Sequence, residues 1–197
     1  MKQKINMSDV AVPSVDELSE ELKREKFRSR YKKLLRSTVY TLVIVAAVSV
    51  LVATLLLPVL QIYGTSMNPN LCEGEIVVSV KSSNFKTGDI VAFYYNNRVL
   101  IKRIIGTPGD IIVIKENGDV YVNNTLLDEP YLTQKSYGNA DIEYPYTVPQ
   151  NSYFVLGDHR DSSVDSRSSL AGCEEKEEII GKIVFRVWPI KRIGGID

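Results

Sequence analysis

Between residues 37 and 72 the chain carries no charged side chain, and from 39 to 60 it reads VYTLVIVAAVSVLVATLLLPVL. A helix rising about 1.5 Å per residue over that run crosses the roughly 30 Å hydrocarbon layer of a bilayer. Thr41, Ser49 and Thr54 are its only aliphatic hydroxyls, and a helix can bond them to its own carbonyls. Pro58 stands near the end, where a helix tolerates interruption. A soluble domain of this size rarely encloses so long a helix that is apolar all round. A cleaved secretory signal fits poorly, because the run starts late, is longer than such a segment's apolar region and meets no A-x-A-like end. The reading is a transmembrane helix at 38–60, between a tail at 1–37 and a domain at 61–197.

The tail supplies an orientation. Residues 23–36, KREKFRSRYKKLLR, hold eight cations and one acid, Glu25. The positive-inside rule places that flank in the cytoplasm and everything after Leu60 outside. The same charges suit contact with anionic lipid. Upstream, Ser14 and Glu17 have the spacing of a capping box opening a polar helix. A formal net charge of zero gives no argument for a nucleic-acid partner. Cys72 and Cys173 are too few for a disulfide scaffold, and with a single histidine, His159, no zinc cluster is in view. Whether the two cysteines pair stays open.

After the apolar run, short β-rich segments alternate with turn signals. They lie at 75–81, 89–95, 99–105, 110–115, 119–123, 152–156 and 179–188, with Glu-Asn-Gly marking a hairpin. No long helical period follows the apolar run. This predicts an all-β domain, either packed sheets or a partly open barrel. Residues 129–150 are polar, tyrosine-rich and broken by prolines, and read as a flap or long loop.

Three stretches could carry chemistry. Gly64-Thr65-Ser66-Met67-Asn68-Pro69 can present the Ser66 hydroxyl at a bend. A free serine is a weak nucleophile and needs a base beside it; without one, Ser66 is an ordinary loop residue. Lys102 stands between Leu100 and Ile104 on one face of a strand. Burial there would lower its pKa, whereas at an unperturbed value of about 10.4 only about 0.04% of the amine is neutral at pH 7. The blander alternative is a strand-end lysine whose amine reaches solvent. The third stretch, GDHRDSSVDSR at 157–167, packs three Asp, two Arg and three Ser behind a strand. Its alternating charges can form a buried ion-pair network or simply a solvated loop.

In this order behind an N-terminal apolar helix, these stretches resemble the bacterial signal peptidase I family. The nucleophile motif resembles GTSMNPNL at 64–71, a strand motif GDIVAF at 88–93, the lysine motif KRIIGTPGD at 102–110, and the last motif GDHRDSSVDSR. The resemblance implies an all-β catalytic domain behind one membrane helix, and removal of signal peptides from exported preproteins. It implies Ser66 as nucleophile, Lys102 as general base and Ser163 as the hydroxyl that orients the lysine. Asp158 and Arg167 become ion-pair members beside the site and Asp165 a supporting carboxylate, with no metal and no organic cofactor. The size is similar to that of the short Gram-positive enzymes. Asn70, His159 and Gly64 depart from the pattern, the last because some members place a hydroxyl there to help hold an oxyanion.

Rival assignments can be framed from the same residues. Ser66 with His159 and a neighbouring Asp could form a triad, although adjacent loop residues rarely orient one another. Ser83-Asn84-Phe85-Lys86 and Lys86-Thr87-Gly88 match lactamase-like patterns but share one lysine. A non-catalytic adhesive or signalling ectodomain is the third.

Overall fold

A computed structural model describes residues 14–196 and divides into two units after Val52. Helix α1 runs unbroken over Val15–Leu56, about 60 Å, so the basic flank and the apolar run share one helix. Its start is the capping box the sequence predicts. The Ser14 N–H donates to Glu17 Oε2 (2.9 Å) and the Glu17 N–H to Ser14 Oγ (3.3 Å). Inside the run, the Thr41 hydroxyl donates to the Ser37 carbonyl, so this polar group is satisfied within the helix. Large apolar side chains from Val39 to Val52 lie exposed on all sides of it.

The helix stops at Leu56, four residues before the predicted end of the span. Pro58 has no N–H to continue the ladder and biases the residue before it away from helical angles. The next residues then join a sheet: β1 (Val59–Gln61) pairs antiparallel with β2 (Ile76–Val80). The predicted 38–60 segment is therefore helix up to Leu56 and strand from Val59.

Ten further strands follow: β3 (Ile90–Tyr95), β4 (Arg98–Gly106), β5 (Ile111–Ile114), β6 (Val120–Val122), β7 (Thr125–Leu126), β8 (Tyr146–Thr147), β9 (Ser152–Leu156), β10 (Glu174–Glu175), β11 (Ile179–Trp188) and β12 (Gly194–Gly195). The larger sheet is ordered β1-β2-β11-β3-β4-β9-β10, with β12 on β11, and the smaller one β7-β6-β5-β8. Every pairing is antiparallel. These are packed open sheets, not a closed barrel. Two hairpins turn on Asn pairs, Asn96-Asn97 and Asn123-Asn124. All four residues have positive φ, as two-residue turns between twisted strands require.

Both faces of the larger sheet are covered, which explains the uninterrupted apolar run of β3. Ile90 and Ala92 face a cluster with Ile62, Met67, Leu71 and Ile183. Val91 and Phe93 face another, with Ile104, Tyr153 and Val155. A third cluster joins the two sheets through Ile105, Phe154 and Leu156 on one side and Ile112 and Val120 on the other.

Candidate active site

The turn bearing Ser66 follows β1. Met67 and Leu71 are buried in the cluster beneath it, and the Leu71 N–H donates to the Met67 carbonyl (2.9 Å). These anchors leave Ser66 half-buried at the bend. Gly64, just ahead, has φ +83, a left-handed angle that a side chain would strain.

Lys102 comes from the middle of β4, opposite Val91, and is only 3% exposed. Its Nζ lies 2.7 Å from Ser66 Oγ. Burial pushes the Lys102 pKa down to about 8. The carboxylates of Asp165, Asp158 and Glu174 pull it back up, while the Arg167 guanidinium adds to the depression. An amine with that pKa is neutral often enough near pH 7 to accept a proton, and the hydroxyl it touches is the one available to give it.

The loop after β9 closes the back of the pair. The His159 N–H donates to the Ser66 carbonyl (2.9 Å), tying loop to turn. A Cβ on Gly157 would stand 2.2 Å from Ser163 Oγ and 2.6 Å from the Ser66 carbonyl oxygen, so this close approach requires glycine. The Gly157 N–H donates to Asp165 Oδ2 (3.0 Å), and Asp165 accepts from Arg167 Nε (2.8 Å) and Nη2 (2.9 Å). Arg167 also donates to the carbonyls of Tyr137 and Arg160. Asp158 is paired with Arg103, accepting from Nε and Nη2 at 3.0 Å each. Asp158 and Arg167 thus belong to separate ion pairs. A third pair joins Arg160 to Glu129, which Tyr131 also meets through its hydroxyl. The Tyr131 ring covers the Arg103 guanidinium at 3.9 Å. In this way the 129–150 segment is latched to the site.

Ser163 sits beside Gly157, but its buried Oγ makes no hydrogen bond among the described residues. His159 is exposed and its ring meets Ser162, three residues on, not Ser66. Arg103, Glu129 and Tyr131 were not singled out by the sequence. Arg103 alternates with Lys102 on β4, and only the fold shows that Asp158 is its partner. Cys72 and Cys173 are unpaired. Among the described residues no group of three or more His, Cys, Asp or Glu side chains gathers as metal ligands.

A groove of about 620 Å³ opens beside Ser66, with Ile62, Gly64 and Met67 on one wall and Val99, Leu100 and Ile101 on the other. β4 meets β9 only from Arg103 onward, so the outer edge of residues 98–102 is unpaired along that groove among the described residues. An extended chain can add to such an edge.

A serine hydroxyl against a buried amine, beside a strand edge in an all-β domain, defines a candidate hydrolase of the peptidase kind. Residues 35–188 match the family described as "Signal peptidase, peptidase S26". The chain is 34% identical over 183 residues to "Signal peptidase I" of Bacillus amyloliquefaciens, covering 87% of this chain and 98% of that one. It is 32% identical over 179 residues to "Signal peptidase IB" of Staphylococcus aureus, covering 80% and 92%. A signal peptidase I of known crystal structure from Enterococcus faecalis V583 is 30% identical with a TM-score of 0.44, covering 50% of this chain and 96% of that one. The chain belongs to the peptidase S26 signal peptidase family and is a peptidase.

Proposed function

We propose that this chain is a membrane-bound signal peptidase I that removes signal peptides from exported preproteins with Ser66 as nucleophile and Lys102 as general base. The observation that carries this reading is the 2.7 Å approach of a buried lysine amine to the serine hydroxyl in a member of this family. Neutral Lys102 accepts the Ser66 proton as Oγ adds to the scissile carbonyl. The ammonium so formed returns that proton to the leaving amine as the peptide bond breaks. Water then attacks the acyl-enzyme as Lys102 takes its proton, the ester bond to Oγ breaks with that proton passed from Lys102 to Ser66, and the carboxylate product leaves. The Ser66 backbone N–H is a candidate oxyanion donor; Gly64 has no hydroxyl to add. The family resemblance makes Ser163 the hydroxyl that orients the lysine, and its Oγ is not committed to another partner among the described residues; the Asp165–Arg167 and Asp158–Arg103 pairs hold its loop in place.

The preprotein lies extended in the groove along the unpaired edge of β4. The apolar part of α1 spans the bilayer, since its exposed Val, Leu and Ile side chains suit lipid and not water. The cations at 23–36 support a cytoplasmic N-terminus with the β domain outside. The partners are then the bilayer and preprotein signal peptides, with no nucleic acid.

The test is cleavage of a purified preprotein by the full chain, Ser66→Ala, Lys102→Ala and His159→Ala. The first two substitutions should abolish processing and the third should leave most of it. An active Lys102→Ala with an inactive His159→Ala would refute the assignment.

A further inference from the structure

Glu174 is a buried carboxylate that the steps above do not use. It opens β10, is 7% exposed, and has Tyr153 as its register partner. Directly opposed residues of an antiparallel pair project to the same face, and Tyr153 packs in the cluster with Val91, Ile104 and Val155. Leu100 packs there as well. Lys102, between Leu100 and Ile104 and opposite Val91, projects to that same face. The 3-10 turn Lys176–Glu178 lies against β3, and Ile179 joins the cluster as it opens β11 beside Phe93.

The charges around Lys102 are therefore Asp158, Asp165 and Arg167 from the loop after β9, and Glu174 from β10. Asp158 and Asp165 are each bonded to an arginine. Glu174 has no ion pair or side-chain hydrogen bond among the described residues. Burial first, and then the negative charge of Glu178, raises its pKa to about 7, while Lys102 pulls it down.

We propose that Glu174 is a positioning residue for the reaction, a carboxylate on the same face of the sheet as Lys102 that adds to the charges tuning the base and moves its deprotonation toward alkaline pH. The proposal rests on Lys102 being the general base. As the pH rises through neutrality the carboxylate forms while Lys102 is still giving up its proton. The new negative charge stabilises the ammonium and holds activity toward alkaline pH.

The experiment is the pH profile of kcat/KM for the full chain in vesicles with a purified preprotein. The chains compared are the natural one, Glu174→Gln, Glu174→Met, Glu174→Asp and Lys102→Ala. Removing one charge from a partly buried site should move the limb of both neutral variants toward acid. Their kcat/KM should rise about twofold to fourfold on the acid side of the limb, with the alkaline plateau unchanged. Glu174→Asp keeps the charge and should keep the limb near its natural position. Thermal melts at alkaline pH should show both neutral variants at least as stable as the natural chain, because an unpartnered carboxylate no longer has to be buried. Neutral variants that lower the plateau and leave the limb in place, or that both melt lower, would overturn the proposal in favour of a strand-pairing role. An active Lys102→Ala would remove the base and this proposal with it. An inactive Lys102→Ala beside an unmoved limb removes only the role of Glu174.

Discussion

Replacing Lys102 with Met should abolish activity and stabilise the protein in the same stroke. The amine has an ordinary pKa of 10.5 and is pushed down to about 8 in the fold, chiefly by burial. A depression of about 2.5 units corresponds to about 3 kcal/mol against the folded state when the lysine is charged. Between about pH 8 and 10.5 the unfolded chain binds more protons at this site than the folded one, so stability rises with pH across that window. Below about pH 8 the full cost is present. Methionine has a similar unbranched length and no charge. It gives up the contact with Ser66 Oγ, worth about 1 kcal/mol, so the net gain at pH 7 is about 1–3 kcal/mol, or roughly 3–10 °C in Tm. Fluorescence of the single tryptophan, Trp188 on β11, can follow unfolding of the full chain in detergent. The gain should fade as the pH approaches 10.5. A Lys102→Met chain that melts lower than the natural one at pH 7, or a gain that does not shrink with pH, would refute the desolvation argument. The kinetic counterpart is a limb in kcat/KM near pH 8, about tenfold per pH unit below it, and no activity in Lys102→Arg, whose guanidinium stays protonated.

The loop behind the site separates into distinguishable cases. Ser163→Ala should lower kcat by about 10²-fold or more with little change in Tm, whereas Asp158→Ala removes the carboxylate that neutralises the buried Arg103 guanidinium and should cost about 3–5 kcal/mol in denaturant titrations. Gly157→Ala forces a methyl group against Ser163 and the Ser66 carbonyl, and should destabilise by about 1–3 kcal/mol and remove most turnover on a purified preprotein. Protease added to wall-stripped cells should digest the β domain and spare the first residues; cleavage confined to the N-terminal tail would reverse the orientation.

The sequence showed most where one physical signal dominated. Alternation and turn residues placed strands at 152–156 and 179–188 with the limits the structure has. Ser14 and Glu17 formed their capping box because it needs only local spacing. The end of the long helix was misplaced because hydrophobicity alone does not distinguish a lipid-facing turn from Val59 and Leu60, which the sheet takes up through β2. The short strands β7, β8, β10 and β12 carry too few residues to show a period. At the candidate site, Ser66 and Lys102 were singled out by motif, but their 2.7 Å approach depends on the sheet order that brings the turn after β1 to β4. Arg103 and Glu129 were not legible, because their partners lie 55 and 31 residues away along the chain.

Those distant partners bear on how the site keeps its shape. Buried ion pairs are poor sources of net stability, because desolvating two ions offsets most of their attraction. Among the described residues three pairs have both side chains at most 3% exposed, Arg103–Asp158, Arg160–Glu129 and Arg167–Asp165, and all involve the loop that touches Ser66. What they supply is direction. Asp158 binds that loop to β4 one residue past Lys102, and to the serine turn through the Asn70 amide at 2.7 Å. Glu129 and Tyr131 bring the long 129–150 segment onto the same arginines. Arg167 then fills the space beneath Gly138, where a Cβ would stand 2.4 Å from Nη1. Under the proposed mechanism Lys102 can serve as base only if the Ser66 hydroxyl cannot drift, since a misplacement of about 1 Å costs on the order of 10²-fold in rate. The apolar clusters fix the strand that carries Lys102 and the turn that carries Ser66. The ion pairs fix the loop that joins them, where hydrophobic packing, being non-directional, would leave Gly157 and Ser163 free to slide.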